Sequence, residues 1–243
     1  MSAPRFYVAP EDVALAVDAT IDLPEPVARH ATRVLRLRDG DAITLFDGGG
    51  GEFEATLATA DRGARAHVRR HSAVERESSV AVTLVQALVA ADVMDAIVRK
   101  AVELGVATIQ PVVAERSQRG PAERLERRSE RWRQIAIGAC EQCGGNRIPA
   151  IEPPLALIDW MHARGSLDGV AVLEPHASVS LASVAPHVRT VLIGPEGGFT
   201  PAEVAACIAA HARGAHLGAR VLRADTAAVA ALATLNAAPG RAC

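Results

Sequence analysis

The segment Val191-Leu192-Ile193-Gly194-Pro195-Glu196-Gly197-Gly198-Phe199 joins an apolar strand pattern to a glycine-rich turn. Where side chains are missing a ligand can press on backbone, and the carboxyl end of a strand in an open α/β sheet is where nucleotide-like ligands bind. The same residues suit a tight turn in which glycine supplies geometry alone. The spacing is neither G-x-G-x-x-G nor a P-loop, since no Lys-Ser/Thr follows, so dinucleotide and triphosphate binding lose weight. A second turn of this kind, Leu217-Gly218-Ala219-Arg220-Val221-Leu222-Arg223-Ala224-Asp225-Thr226-Ala227, carries arginines and an acid placed to cap a helix. The two turns can meet at one sheet edge; taken alone, the second is an ordinary loop with solvated arginines.

Other reactive residues say less. Cys140-Glu141-Gln142-Cys143 has C-x-x-C spacing, but no second pair stands at finger spacing and the motif ends a helix where a thioredoxin site begins one, so no metal is expected. The four cysteines are too few for a disulfide scaffold and read as thiols. The eight histidines are scattered singly, and neither H-E-x-x-H nor G-x-S-x-G occurs. Lys100 is the single lysine among 26 basic residues, which marks either a place where a compact ammonium is needed or a helical i,i+3 pair with Glu103. Arg29, Arg33 and Arg36 fall at i, i+4 and i+7 of a helix predicted over 26–38, a cationic stripe fit for phosphates that Arg62, Arg65, Arg69 and Arg70 can extend. Yet residues 1–72 hold nine arginines against eleven acidic residues, so a merely solvated face fits too. At 3% aromatic residues, platforms that stack single-stranded bases are disfavoured.

The chain that must position these groups has 243 residues, 49% of them apolar and 22% charged, with a formal charge of −2. That composition folds, and any nucleic-acid site is a local patch. Residues 1–72 read as short strands (5–8, 42–46, 52–58, 64–70) with Asp47-Gly48-Gly49-Gly50-Gly51 as a hairpin loop. From 78 onward strands and helices alternate: a strand over VAVTLVQAL, a helix over 92–104, a strand over TIQPVVA, then a long helix from Pro121 to about Cys143. Further strands are predicted at 169–173, 190–193 and 215–217. Thr200-Pro201-Ala202-Glu203 is a capping box, and a last helix over about 225–238 starts on Asp225 as N-cap. The domains expected are 1–72 and 78–243, with the likeliest linker over 75–79. A start lacking a signal-peptide pattern and the absence of a membrane-length apolar run lead to the expectation of a cytoplasmic protein without a membrane.

Four strings in this order, MDAIVRKAVELGVATIQPVVAERS, EQCGGNRIP, LIGPEGGFTPAEV and LGARVLRADTAA, with RHATRVLRLRDGD upstream, resemble the ribosomal RNA small subunit methyltransferase E family of SPOUT enzymes over almost the whole chain. The resemblance implies an α/β fold: a PUA-like RNA-binding β-barrel followed by a SPOUT trefoil-knot methyltransferase domain, forming a homodimer. It implies transfer of a methyl group from S-adenosylmethionine, without a metal, to N3 of one uridine in the decoding region of 16S rRNA, in the assembled small ribosomal subunit. By motif, the cofactor loops are Leu192, Ile193, Gly194 and Gly198, then Leu217, Gly218, Leu222 and Thr226, with Leu173 as a third wall. Uridine N3 is a poor nucleophile until its imide proton leaves. The site therefore needs a base such as Glu141, or guanidinium donors for the charge that spreads onto the carbonyl oxygens, for which Arg116, Arg147 and Arg223 are candidates. Glu141 and Arg147 can equally serve to fold the loop after the long helix. Asp225 stands where the family pattern has glutamate, and Gly145 where an arginine commonly follows EQCG. The competing functions are a non-catalytic RNA-binding ribosome-assembly protein of the same fold and a nucleotide-dependent oxidoreductase, which lacks its fingerprint here.

Overall fold

The computed structural model describes residues 3–59, 63–118 and 122–238, and in residues 122–124 only the backbone. Arg62 and Pro121 therefore lie outside the described residues. The chain divides into two compact units, Met1–Glu77 with Cys140–Ile148, and Ser78–Ala139 with Pro149–Cys243. Residues 140–148, which the sequence assigns to the second domain, thus pack with the first.

The first unit is a five-stranded sheet in the order β1-β3-β4-β5-β2, made of β1 (Arg5–Tyr7), β2 (Thr20–Asp22), β3 (Ala42–Phe46), β4 (Glu52–Thr59) and β5 (Ala64–Ser72). Alternating burial along the strands turns Phe6, Ile21, Ile43, Leu45, Leu57, Ala66 and Val68 into one shared core. β2 has no strong apolar pattern in sequence; only Ile21 of its three residues is buried. β3 and β4 form an antiparallel hairpin whose loop needs glycine, with φ of 85° at Gly48, 105° at Gly50 and 70° at Gly51.

The helix predicted over 26–38 is cut short. α1 spans Glu25–Arg29, a π-helical turn follows over His30–Val34, and Arg36 lies in the left-handed region at φ 56°. The chain leaves the helix so that Leu37 packs against the core beside Val27; a continuing α-helix would carry it past that core.

The second unit is a parallel sheet in the order β12-β10-β11-β6-β7-β8, with β9 also on β7. Its elements are β6 (Thr83–Ala87), α2 (Ala91–Glu103), β7 (Thr108–Val113), α3 (Ala122–Cys143, whose last four residues belong to the first unit), β8 (Ala150–Ile151), β9 (Leu155–Ala156), α4 (Leu157–Arg164), β10 (Val170–Leu173), α5 (Leu181–Val184), β11 (Thr190–Ile193), α6 (Pro201–Ala209), β12 (Arg213–Ala215) and α7 (Ala224–Asn236). Val85, Val112, Val172 and Leu192 pack on one face with Trp160 and Met161 of α4 and Cys207 of α6. α2 packs against α7, which also reaches β11. A sheet covered on both faces explains why successive residues of β6, β10 and β11 are buried without alternation, Gln86 and Thr190 included.

The capping box at Thr200 is present: its hydroxyl accepts the Glu203 N–H at 3.2 Å while the Glu203 carboxylate accepts the Thr200 N–H at 2.8 Å. Asp225 is not the N-cap of α7. Arg223 holds that position, and Asp225, within the first turn, accepts the neighbouring Thr226 N–H at 2.8 Å. Lys100 takes the helical pairing, its Nζ lying 2.8 Å from Glu103. Among the described residues no helix is long and apolar enough to cross a membrane, and no cluster of three metal-binding side chains occurs.

Candidate functional site

In a parallel sheet all strands end on the same edge. β12, β10 and β11 are adjacent, so the segments leaving them at His216, Glu174 and Gly194 gather side by side. They enclose a cavity of about 750 Å³ within the second unit. That volume suits a nucleotide-sized ligand. Both glycine-rich turns therefore meet at one place.

Leu173, Ile193, Gly194, Gly198, Leu217, Gly218 and Leu222, all expected from the sequence as cofactor residues, line this cavity, as do Arg116 and Arg223. Leu192 and Thr226 are not part of the lining. The Leu192 side chain is fully buried in the core beside Val172, which leaves only its backbone at the strand end, and Thr226 is exposed on α7. Val93, Phe199 and His216, which the sequence does not single out as ligand residues, also stand in the wall. Val93 comes from the first turn of α2 and carries no signal of its own. His216 is one of the scattered histidines, yet its Nδ1 accepts the Gly218 N–H at 3.0 Å and so shapes the second turn.

The glycines differ in their reasons. A Cβ on Gly194 would stand 3.1 Å from the Phe199 nitrogen and 3.3 Å from Gly198 Cα, so this turn closes on itself only without a side chain. At Gly198 and Gly218 nothing lies within 4 Å of that position, but φ is 67° and 124°. There the backbone conformation, not space, selects glycine.

Neighbouring loops hold the turn in place. Arg116, just beyond β7, donates to the Gly197 carbonyl at 2.8 Å with its stem packed across that glycine. Glu196 accepts the Ala90 N–H at 3.0 Å, and Glu203 accepts the Glu115 N–H at 2.8 Å. Arg220 and Arg223, also in the wall, are exposed and have no ion-pair partner among the described residues. The cavity mouth thus keeps guanidinium donors uncommitted beside the start of α7, whose helix N-terminus also favours negative charge.

Glu141 and Arg147 stand in the first unit. The Glu141 carboxylate accepts the Tyr7 N–H at 3.0 Å, and burial raises its pKa against the lowering effect of that bond. Arg147 reaches Glu75 at 3.1 Å and lies against Gly50, where a Cβ would come within 2.5 Å of its guanidinium. Around them Arg5 donates to Asn146 Oδ1 at 2.5 Å and to Glu52 at 2.5 Å, and Arg76 reaches Glu52 at 2.9 Å and the Gly144 carbonyl at 3.1 Å. These bonds fold the EQCGGNR segment onto the strands. Cys140 is buried there, which pushes its thiol up to about 12, while Cys143 is exposed.

Comparison with known proteins agrees with the geometry. Residues 76–236 match the family described as an RNA methyltransferase domain, and residues 23–64 the RNA methyltransferase PUA domain. The chain is 33% identical over 240 residues to the ribosomal RNA small subunit methyltransferase E of Synechocystis, covering 96% of this chain and 77% of that one. It is 32% identical over 248 residues to the protein of the same name in Mycobacterium bovis, covering 97% and 92%. Among solved structures it superposes with a TM-score of 0.86 on a ribosomal RNA small subunit methyltransferase E from Neisseria gonorrhoeae bound to S-adenosyl methionine, at 34% identity over 97% of both chains. A Legionella pneumophila protein solved in complex with the bound cofactor SAM gives a TM-score of 0.90 at 32% identity over 98% of both chains. A β-rich PUA unit, a parallel α/β unit and three strand ends converging on one cavity, together with a likeness spanning nearly the whole chain, show that this protein belongs to the ribosomal RNA small subunit methyltransferase E family.

Proposed function

We propose that this chain transfers the methyl group of S-adenosylmethionine to N3 of a uridine in the decoding region of 16S rRNA, acting in the cytoplasm as a homodimer on the assembled small ribosomal subunit. The observation that carries this is the meeting of the two glycine-lined turns and Leu173 around one cavity. Its residues fit the donor. Leu173, Ile193, Leu217 and Leu222 offer apolar surface for the faces of an adenine, and backbone groups at Gly194, Gly198 and Gly218 can read its edge. Leu192 would contribute through its backbone, and Thr226 from the first turns of α7. When bound, the sulfonium supplies an electrophilic methyl group.

The N3 proton passes to solvent before N3 takes the methyl group, and the chain's part in the reaction is to make the resulting uracil anion acceptable. Arg223, in the cavity wall without an ion-pair partner among the described residues, is suited to a uracil carbonyl on which charge develops. Arg116 is already committed to the Gly197 carbonyl and holds the turn. The two arginines should therefore fail differently. Arg223→Ala is expected to slow methyl transfer about 100-fold with cofactor affinity near wild type, the usual cost of one charge-stabilising donor. Arg116→Ala is expected to weaken cofactor binding about fivefold, with partial recovery in Arg116→Lys, as suits the loss of one charge-assisted hydrogen bond. Calorimetric titration with S-adenosylmethionine and single-turnover transfer rates measure both.

Glu141 and Arg147, engaged by Tyr7 and Glu75, support the reading in which they hold the loop. Arg29, Arg33 and Arg36 are exposed and serve RNA contact. The direct test is tritium transfer from labelled S-adenosylmethionine to small subunits from a strain lacking this modification, followed by nucleoside digestion. The product expected is 3-methyluridine. Methylation of carbon or of another nucleotide overturns the proposal, and cofactor binding without transfer favours a ribosome-assembly protein instead.

A further inference from the structure

The segment from Arg29 to Arg38 does more than present a charged helix face. After α1 the chain widens into the π-helical turn, with the Leu35 N–H donating to the His30 carbonyl and the Leu37 N–H to the Ala31 carbonyl, both at 3.0 Å. Thr32 Oγ1 bonds back to the Ala28 carbonyl at 2.8 Å. Ala28 and Ala31 anchor the turn in the core, and Arg36 is held at φ 56°, a conformation that strains a side chain with a Cβ. π-turns and such outliers concentrate where function requires them.

At the tip of this turn stand two adjacent aliphatic side chains in water, Val34 at 65% and Leu35 at 43% exposure. Around them Arg29, Arg33, Arg36 and Arg38 are exposed, and none has an ion-pair partner among the described residues. The nearby acids Asp39 and Asp41 are occupied by the backbone N–H groups of Thr59 and Arg38. The contrast with β5 is informative, because Arg65 pairs with Asp22 at 2.7 Å and Arg70 with Glu54. Arg69 of β5 has no ion pair either but bonds Thr56 Oγ1 at 3.3 Å, whereas the four arginines at the turn have neither an ion pair nor a side-chain hydrogen bond among the described residues and surround an apolar tip.

We infer that this turn is an RNA-docking ridge in which the four free arginines hold phosphates while Val34 and Leu35 pack on ribose and base surfaces between them. The inference rests on the proposed rRNA substrate and names how this unit engages it. Charge selects the occupant: a second copy of the chain, joined by a two-fold axis at this patch, would bring eight uncompensated guanidiniums together. A polyanion meets the cations and leaves the aliphatic tip a dry surface to cover. Apolar side chains placed between phosphate contacts are a recurrent device for grasping a nucleic-acid groove.

The two contact types respond differently to salt. Each phosphate contact contributes about one unit to the slope of log affinity against log salt, whereas an apolar contact contributes none. With the full-length protein and small subunits lacking the modification, Val34→Ser/Leu35→Ser is expected to bind at least tenfold more weakly at an unchanged slope. Arg29→Ala/Arg33→Ala is expected to bind more weakly with the slope reduced by about two. Arg36→Gly relieves the left-handed strain, so its melting temperature should rise while its RNA affinity falls, a combination that excludes misfolding as the cause. Cofactor affinity should stay at the wild-type value in all three. Wild-type affinity in Val34→Ser/Leu35→Ser, or a loss of self-association in place of RNA binding, overturns the ridge alone. If the wild-type protein fails to bind or methylate the subunits, the rRNA reading falls and takes the ridge with it.

Discussion

Gly194→Ala should lower the affinity for S-adenosylmethionine at least tenfold, about 1.4 kcal/mol, in a protein that remains folded. The added methyl would stand 3.1 Å from the Phe199 nitrogen and 3.3 Å from Gly198 Cα and its carbonyl carbon. All three are backbone atoms, so no side chain can swing aside and the turn itself must open. That displaces the strand end, the Gly198 backbone and the Gly197 carbonyl that Arg116 holds, which together form one wall of the cavity. Gly198→Ala makes the necessary comparison. Its Cβ meets nothing within 4 Å but must adopt φ 67°, at a cost of roughly 1 to 2 kcal/mol. Gly198→Ala should therefore appear chiefly as lost stability and Gly194→Ala chiefly as lost binding. Equal cofactor affinities for Gly194→Ala and wild type in isothermal titration would refute this account of the turn.

The second large effect lies in the first unit. Glu52, with 16% of its side chain exposed, joins Arg5 of β1 to Arg76, and through these two arginines it ties in Gly144, Gly145 and Asn146. Glu52→Ala leaves the Arg5 guanidinium, with only 12% of its side chain exposed, without its counter-charge. Removing one member of such a pair costs about 3 kcal/mol. The same group sets an acid limit. The hydrogen bonds from Arg76 foremost, then those from Arg5, lower the Glu52 pKa from 4.5 to about 2 against the opposing effect of burial. A depressed folded-state value stabilises the fold fully above 4.5 and is lost as pH falls toward 2. With solvent around Arg76 discounted, about 2 kcal/mol should disappear over that interval. Urea unfolding at pH 7 and pH 3 should show a steeper acid loss in wild type than in Glu52→Ala; parallel curves would exclude the clamp.

The clamp also changes how the EQCGGNR segment is understood. Its glutamate and arginine look like catalytic groups in sequence because both types serve proton transfer and anion stabilisation. In the structure the Glu141 carboxylate receives a backbone N–H from β1 and Arg147 lies against the Gly48 to Gly51 loop with Glu75 as partner. A charged residue far along the chain from its partner gives no local sign of being engaged, and the partners here are 134 and 72 positions away.

What could be read from sequence alone is what depends on neighbours along the chain. The alternation of apolar strands with capped helices after 78, the glycine-rich hairpin loop, the Thr200 to Glu203 box and the two strand-end turns each follow from backbone preferences or from periods of two and 3.6 residues, and those are local. The ordered strings identified the family, and seven of the nine cofactor residues they implied stand in the cavity wall. Tertiary structure decided the rest. Only strand order, with β10 between β12 and β11, brings Leu173 to turns lying some twenty and forty residues beyond it. The break in the helix at His30, the direction of Leu192 into the core, the placing of residues 140–148 with the first unit and the choice of which arginines remain unpaired all depend on contacts between distant segments. Such contacts form because burial and ion pairing compete over the whole surface at once, and no window of sequence contains both sides of that competition.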